Sequence, residues 1–348
     1  MAPRTDGSQD HAKGRGSPTR ARKPQRDDPR SRLERLQAAA DGDPAAFPEV
    51  ARAALSDSHP LPVARAAQLC GDRLLYALEG DLIAAFARLR PLPYAQDPQC
   101  MAKGAIARAL VALDCQDVEL YRVGLRLRQA EPVWGGSVDT AVDLRATCAM
   151  GLVQTRYPRA LIDLVGLLAD PEPRARAGAA RAIACAEPLA AEAVLRAKAL
   201  MGDAEPEVTG ECLAGLLQVE PEESPAFVAG FLDAADPGVR EQAALALGGS
   251  RLDLALGLLR ERWDAEPMKG EAQRILLRGA ILHRSAAAFD WLVDVVARGD
   301  PRMAAWLVEE LAVYRSNARL GERVRAAVAA RARPQVSDAW RRAWGEGD

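Results

Sequence analysis

Residues 236–250 read DPGVREQAALALGGS: a turn, an arginine, a run of alanines and two glycines. Nothing in the stretch is overtly chemical, yet versions of it recur. DPEPRARAGAARAIA begins at Asp170 and DAEPEVTGECLAGLL at Asp203, with weaker copies from Ala265 and Gly299. The turn prolines Pro173, Pro206, Pro237, Pro267 and Pro301 are spaced 33, 31, 30 and 34 residues apart. The helix-start positions Arg145, Arg176, Thr209 and Arg240 follow at intervals of 31, 33 and 31. A period of about 32 residues fits two short helices and two turns, repeated along the chain.

Each unit has the same internal logic. A leucine-rich first helix, such as ALIDLVGLLA (160–169), precedes an acidic turn and a proline. Proline in the first turn of a helix loses no hydrogen bond and presets φ. An acidic side chain there can cap free N–H groups and suits the positive end of the helix dipole. Ala243 and Ala244, three and four residues after Arg240, are small enough to let helices approach closely. In DPGVREQAALALGGS the glycines Gly248 and Gly249 are expected to stop the helix. One helix pair cannot bury its own apolar stripe, so neighbouring pairs must stack.

The form D-P-x-V-R-x-x-A-A-x-A-L at 236–247 resembles the second helix of HEAT repeats, in the short bacterial HEAT-like (PBS-lyase-type) variety. The likeness is best over 158–250, with departures at Thr209, where arginine is usual, and at Arg181. The resemblance implies an all-α, right-handed α-solenoid of about eight or nine antiparallel pairs, with second helices lining a concave face. It implies no single function: such proteins are mostly interaction scaffolds, and some are enzymes, including alkylpurine DNA glycosylases and bilin lyase subunits. The expected organisation is a basic tail at 1–30, irregular repeats at 31–157, regular repeats at 158–315 and capping helices at 316–348.

Composition agrees with this class. The 348 residues are 49% hydrophobic, 27% charged and 5% aromatic, with a net charge of −2 too small to name a partner. Alanine and leucine favour helix, and the β-branched and aromatic residues that favour strands are scarce. Residues 1–30 carry a net +4 and almost no large apolar side chain, so they are expected to be disordered and could meet nucleic acid, an acidic protein or an anionic surface. No apolar signal core and no membrane span are expected, and a cytoplasmic location follows from that. Six scattered cysteines, none in a CxxC pair, read as small buried residues in a reducing compartment.

Catalytic sets are missing. There is no GxxxxGK[ST], no GxSxG and no HExxH, and the three histidines offer little for a triad or zinc site. Metal hydroxylases of the HEAT type are thereby disfavoured, and no cofactor is expected. The acidic pairs in EPEE (220–223) and Glu309-Glu310 read as turn and surface charges. Trp263, Trp291 and Trp306 fall in successive C-terminal units, with Trp340 and Trp344 near the end. Helix-spaced tryptophans read first as core. With Asp290 and Asp294, Trp291 is the nearest material for a glycosylase-like grip on a base, the alternative function. The stretch QAEPVWGGSVD (129–139) reads as a loop longer and more apolar than its peers. Trp134 in it is either an exposed partner anchor or a ring tucked into the adjacent groove. The favoured function is a noncatalytic scaffold that binds a protein or peptide on its concave face.

Overall fold

A computed structural model describes residues 28–266 and 270–345. The basic segment 1–27 and the repeat proline Pro267 lie outside the described residues. Nineteen α-helices follow one another: α1 (Pro29–Asp41), α2 (Phe47–Leu55), α3 (Pro60–Asp72), α4 (Glu79–Leu89), α5 (Met101–Ala112), α6 (Val118–Gly124), α7 (Val142–Gln154), α8 (Ala160–Leu167), α9 (Pro173–Ile183) and α10 (Pro188–Met201). The series continues with α11 (Pro206–Val219), α12 (Ser224–Ala229), α13 (Pro237–Ser250), α14 (Asp253–Ala265), α15 (Glu271–His283), α16 (Ala286–Arg298), α17 (Pro301–Leu311), α18 (Ala318–Arg331) and α19 (Pro334–Trp344). Two short strands, β1 (Ala130–Val133) and β2 (Gly136–Asp139), interrupt the series between α6 and α7.

From α2 onward, each even-numbered helix packs on the odd-numbered helix that follows it, and each odd-numbered helix packs on the next odd one. This consecutive packing is that of a helical solenoid. One buried apolar core runs unbroken from Leu36 to Ala339. Prolines explain where many helices begin. Pro173, Pro206, Pro237 and Pro301 each occupy the first position of a helix, as do Pro29, Pro60, Pro188 and Pro334.

The capping differs from the simple expectation. Asp236 accepts from the Gly238 N–H at 2.8 Å, and Asp300 accepts from those of Arg302 and Met303. Ahead of α9 and α11, however, the N-cap residues Glu172 and Glu205 make no capping bond. The work falls instead to Asp170 and Asp203, two residues earlier, whose carboxylates accept from the N–H of Glu172 and Glu205.

Small residues set how closely the odd helices meet. The positions three and four after the repeat arginine are small and buried in α7 (Cys148, Ala149), α9 (Ala179, Ala180) and α13 (Ala243, Ala244); in α11, where Thr209 replaces the arginine, they are Cys212 and the larger Leu213. Ala243→Leu or Ala244→Leu should therefore overpack the seam and lower stability by about 1–3 kcal/mol in chemical unfolding. An unchanged midpoint would remove these alanines from the contact.

The two glycines after them do not stop the helix. Helix α13 continues to Ser250 and ends at Arg251, which takes the left-handed conformation (φ 57°) usually left to glycine. Gly248 instead packs: a Cβ there would lie 2.0 Å from the Gly279 carbonyl oxygen of α15.

The tryptophans are largely internal. Trp263 meets Trp291 edge-to-face with centroids 5.9 Å apart, and Trp340 stacks on Trp344 at 4.7 Å. Trp344 donates from Nε1 to the Val308 carbonyl, fastening the last helix. Trp306 lies beneath the guanidinium groups of Arg274 and Arg278, where α15 and α17 meet least closely. Five of the six cysteines are buried, and burial pushes the thiols of Cys70, Cys100 and Cys212 up to about 12. Cys185 is the exception and is exposed. No helix among the described residues is long and apolar enough to cross a membrane.

Candidate functional site

The segment expected as a loop at 129–139 is an antiparallel β-hairpin, and the other regular elements among the described residues are helical. Ala130 faces Asp139, Glu131 faces Val138, Pro132 faces Ser137 and Val133 faces Gly136. Trp134 and Gly135 form the two-residue turn. Gly135 sits at φ +86°, the positive φ that the third position of a type II turn requires. Trp134, one residue before it, is thrown outward and is fully exposed at 103%. Val133 and Val138 are 47% and 46% exposed. The ring does not tuck into the neighbouring groove; it stands at the tip of a projection whose residues 132–138 carry no charge.

The base of the hairpin is as polar and buried as its tip is apolar and open. Glu131 Oε1 accepts from the Gln99 N–H (2.6 Å), the Thr140 hydroxyl (2.7 Å) and Gln129 Nε2 (2.9 Å). Burial would raise the Glu131 carboxyl, but these bonds hold it below its usual range. Gln129 Nε2 also donates to the Asp97 carbonyl. The turn that begins there passes through two left-handed residues, Gln99 and Cys100. Asp139, at the end of β2, accepts from the N–H of Gln129 and Ala141 and from Arg145 Nη1 at 2.6 Å. Its carboxyl, which burial alone would raise, is likewise lowered by these partners.

Arg145 belongs to a ladder of buried charges. Its side chain is 0% exposed and joins Asp139 to Asp170, whose side chain is 1% exposed. Arg128 reaches Asp170 from the other side at 2.6 Å. One unit earlier, Lys103 and Asp97 form an equally buried pair at 3.4 Å. One unit later, Arg176 binds both carboxylate oxygens of Asp203, at 2.9 and 2.6 Å, while Lys198 reaches the same carboxylate. Burial would raise the Asp203 carboxyl, but Arg176 and Lys198 hold it well below the usual carboxylate range.

In three units an aspartate stands six residues before a cation: Asp97 and Lys103, Asp139 and Arg145, Asp170 and Arg176; the first two couples are ion-paired, while Arg176 donates to the Asp170 carbonyl and pairs with Asp203. The next pair would be Asp203 and Thr209. Thr209 carries no charge, and Ala234 stands where the following aspartate would be, so the cation and its forward partner are missing together. Arg240 begins again with a bond from Nη1 to the Ala234 carbonyl at 2.8 Å.

The glycosylase-like set is not assembled as an open grip. Trp291 is buried at 8%, under Arg260 and against Trp263. Asp290 pairs with Arg323, and Asp294 with Arg298. Among the described residues no group of three or more His, Cys, Asp or Glu side chains could hold a metal ion. On the odd helices, arginines pair with carboxylates of the neighbouring odd helix: Arg174 with Asp143, Arg181 with Glu211, Arg278 with Glu241 and Arg342 with Glu309.

No family model matches this chain, and no curated protein matches it. Among solved structures, human deoxyhypusine hydroxylase in complex with glycerol is similar at 17% identity, covering 74% of this chain and 91% of that chain with a TM-score of 0.28. A likeness at that level supports no inference about residues or activity.

Proposed function

We propose that this chain is a noncatalytic scaffold of the HEAT-like kind, a right-handed array of eight or nine helix pairs that binds a protein or peptide partner. The odd-numbered helices line its concave face, and the hairpin adds an anchor to it. The observation that carries this reading is Trp134, a fully exposed indole on a projection whose base is held by part-buried hydrogen bonds and ion pairs. Tryptophan is among the residues most enriched in binding hot spots.

Nucleic-acid processing is the weaker reading. Phosphate binding needs unmatched cations along a groove, but the arginines named above on the odd helices are paired with carboxylates. Residues 199–239 contain no lysine or arginine at all, and Glu205, Glu207, Glu222 and Glu223 are exposed there.

Two results are expected. A photo-crosslinking side chain at position 134 in cells captures a discrete protein, whereas the same side chain at exposed Leu189 of α10 does not. Trp134→Ala weakens binding of that protein by about 30-fold or more, the effect of losing a hot spot. Thermal stability is unchanged, because the ring is fully exposed. Recovery of nucleic acid alone, lost on raising salt, would overturn the proposal.

A further inference from the structure

We propose that the open edge of β2 is a strand-addition site for an uncharged, extended segment of a partner protein. The inference rests on the hairpin being the contact site and specifies how contact is made. The Thr140 N–H donates to the Gln129 carbonyl at 2.9 Å. Hydrogen-bonded and non-bonded pairs alternate along an antiparallel ladder. With the observed register, the bonded pairs are therefore Glu131 with Val138 and Val133 with Gly136. The backbone groups of Ala130, Pro132, Ser137 and Asp139 then point away from the partner strand.

The two edges are not equivalent. On β1, Pro132 has no N–H to offer, which closes that edge to a full ladder. Glu131 and Gln129 also tie β1 to the turn at 97–99. On β2, Gly136, Ser137 and Val138 are all exposed. Among the described residues, no hydrogen bond engages the Ser137 N–H or carbonyl. An edge with its donors and acceptors free is a template for another strand, and main-chain bonding of this kind supplies affinity while side-chain positions supply selectivity.

The surface also states what it accepts. Residues 132–138 hold no charge, so nothing there attracts a charged segment. Val133 and Val138 share one face of the hairpin, and Trp134 stands at its tip. An incoming strand with β-branched or aromatic side chains at alternate positions lies directly beside Val138, the exposed valine of the edge strand. The exposed apolar area is one indole and parts of two valines, a few hundred Å² at most. A stable dimer needs about 800 Å² from each partner, so the edge fits a short peptide segment rather than a second copy of this chain.

The test uses a random peptide display library selected on the full chain, with the selected peptides then measured by fluorescence polarisation. Peptides rich in Val, Ile, Thr and aromatic residues are expected. Ser137→Pro, which removes the outward donor at a position that makes no bond to β1, should weaken them at least 10-fold. Ser137→Ala, which keeps the donor, should leave affinity within about 2-fold. The Ser137 amide in the wild-type chain should gain hydrogen-exchange protection on binding. If peptides bind Ser137→Pro as tightly as the wild type, or Ser137 gains no protection, strand addition is wrong. Should Trp134→Ala alone abolish that binding, the contact-site reading stands without it. Selection of no hairpin-dependent peptide overturns both.

Discussion

Asp170→Ala is expected to lower the stability of the chain by about 3 kcal/mol, the lower end of the cost of breaking a buried ion pair, because Arg145 keeps Asp139 as its second partner. Asp170 accepts from Arg145, which is fully buried, and from Arg128, and it also accepts from the N–H of Glu172 at the start of α9. Its loss takes away one of the two carboxylates that hold the buried Arg145, frees Arg128 and removes the bond at the start of α9. Urea unfolding followed by circular dichroism measures the effect. Adding Arg145→Met should recover part of it, because the buried guanidinium is then gone and a side chain of similar length fills the space. A loss below about 1 kcal/mol in the single variant would show that the rung is solvated and behaves as a surface pair.

Gly279→Leu is expected to cost about 3 kcal/mol, the upper end of what overpacking a core commonly costs. A Cβ at Gly279 would lie 2.5 Å from the Ala244 carbonyl oxygen, and one at Gly248 would lie 2.0 Å from that of Gly279. Both obstacles are backbone, so no rotamer change relieves them and α13 must move off α15. Gly257 in α14 is the control, since nothing lies within 4 Å of a Cβ there. Gly257→Ala should stabilise by about 0.5–1 kcal/mol through helix propensity alone. Equal effects at 257 and 279 would mean that the close approach of α13 and α15 is not formed in solution.

Much of the architecture was legible because it is written locally. A proline at the first helical position and small residues three and four after the repeat arginine depend on the chain within a few residues. They repeat often enough to be seen in one sequence. Gly248 shows where that reasoning stops. A glycine near a helix end ordinarily signals termination, but here its neighbour is the backbone of a helix some thirty residues away, and no local rule reveals that. The hairpin was missed for a related reason. Ala130–Val133 contains a proline and Gly136–Asp139 a glycine, residues depleted in strands, and the pairing is held by Glu131, Thr140 and Asp139 at its base. The spacing of six between Asp97 and Lys103, Asp139 and Arg145, and Asp170 and Arg176 was available in the sequence. It would have placed two of the buried charged pairs, Asp97 with Lys103 and Asp139 with Arg145, but not the reach of Arg145 to Asp170 or of Arg176 to Asp203 across the repeat boundary.

The network beneath the hairpin bears on rates as well as on structure. Gln129, Glu131, Asp139 and Thr140 are each held by several hydrogen bonds before any partner arrives. The projection therefore has little conformational entropy left to lose on binding, which is the usual penalty for a contact made by a loop. If the hairpin is the contact site proposed above, a preorganised projection of this size should give modest affinity concentrated in one side chain. Its tuning resides in the off-rate, through how deeply the indole is covered, rather than in the rate of encounter.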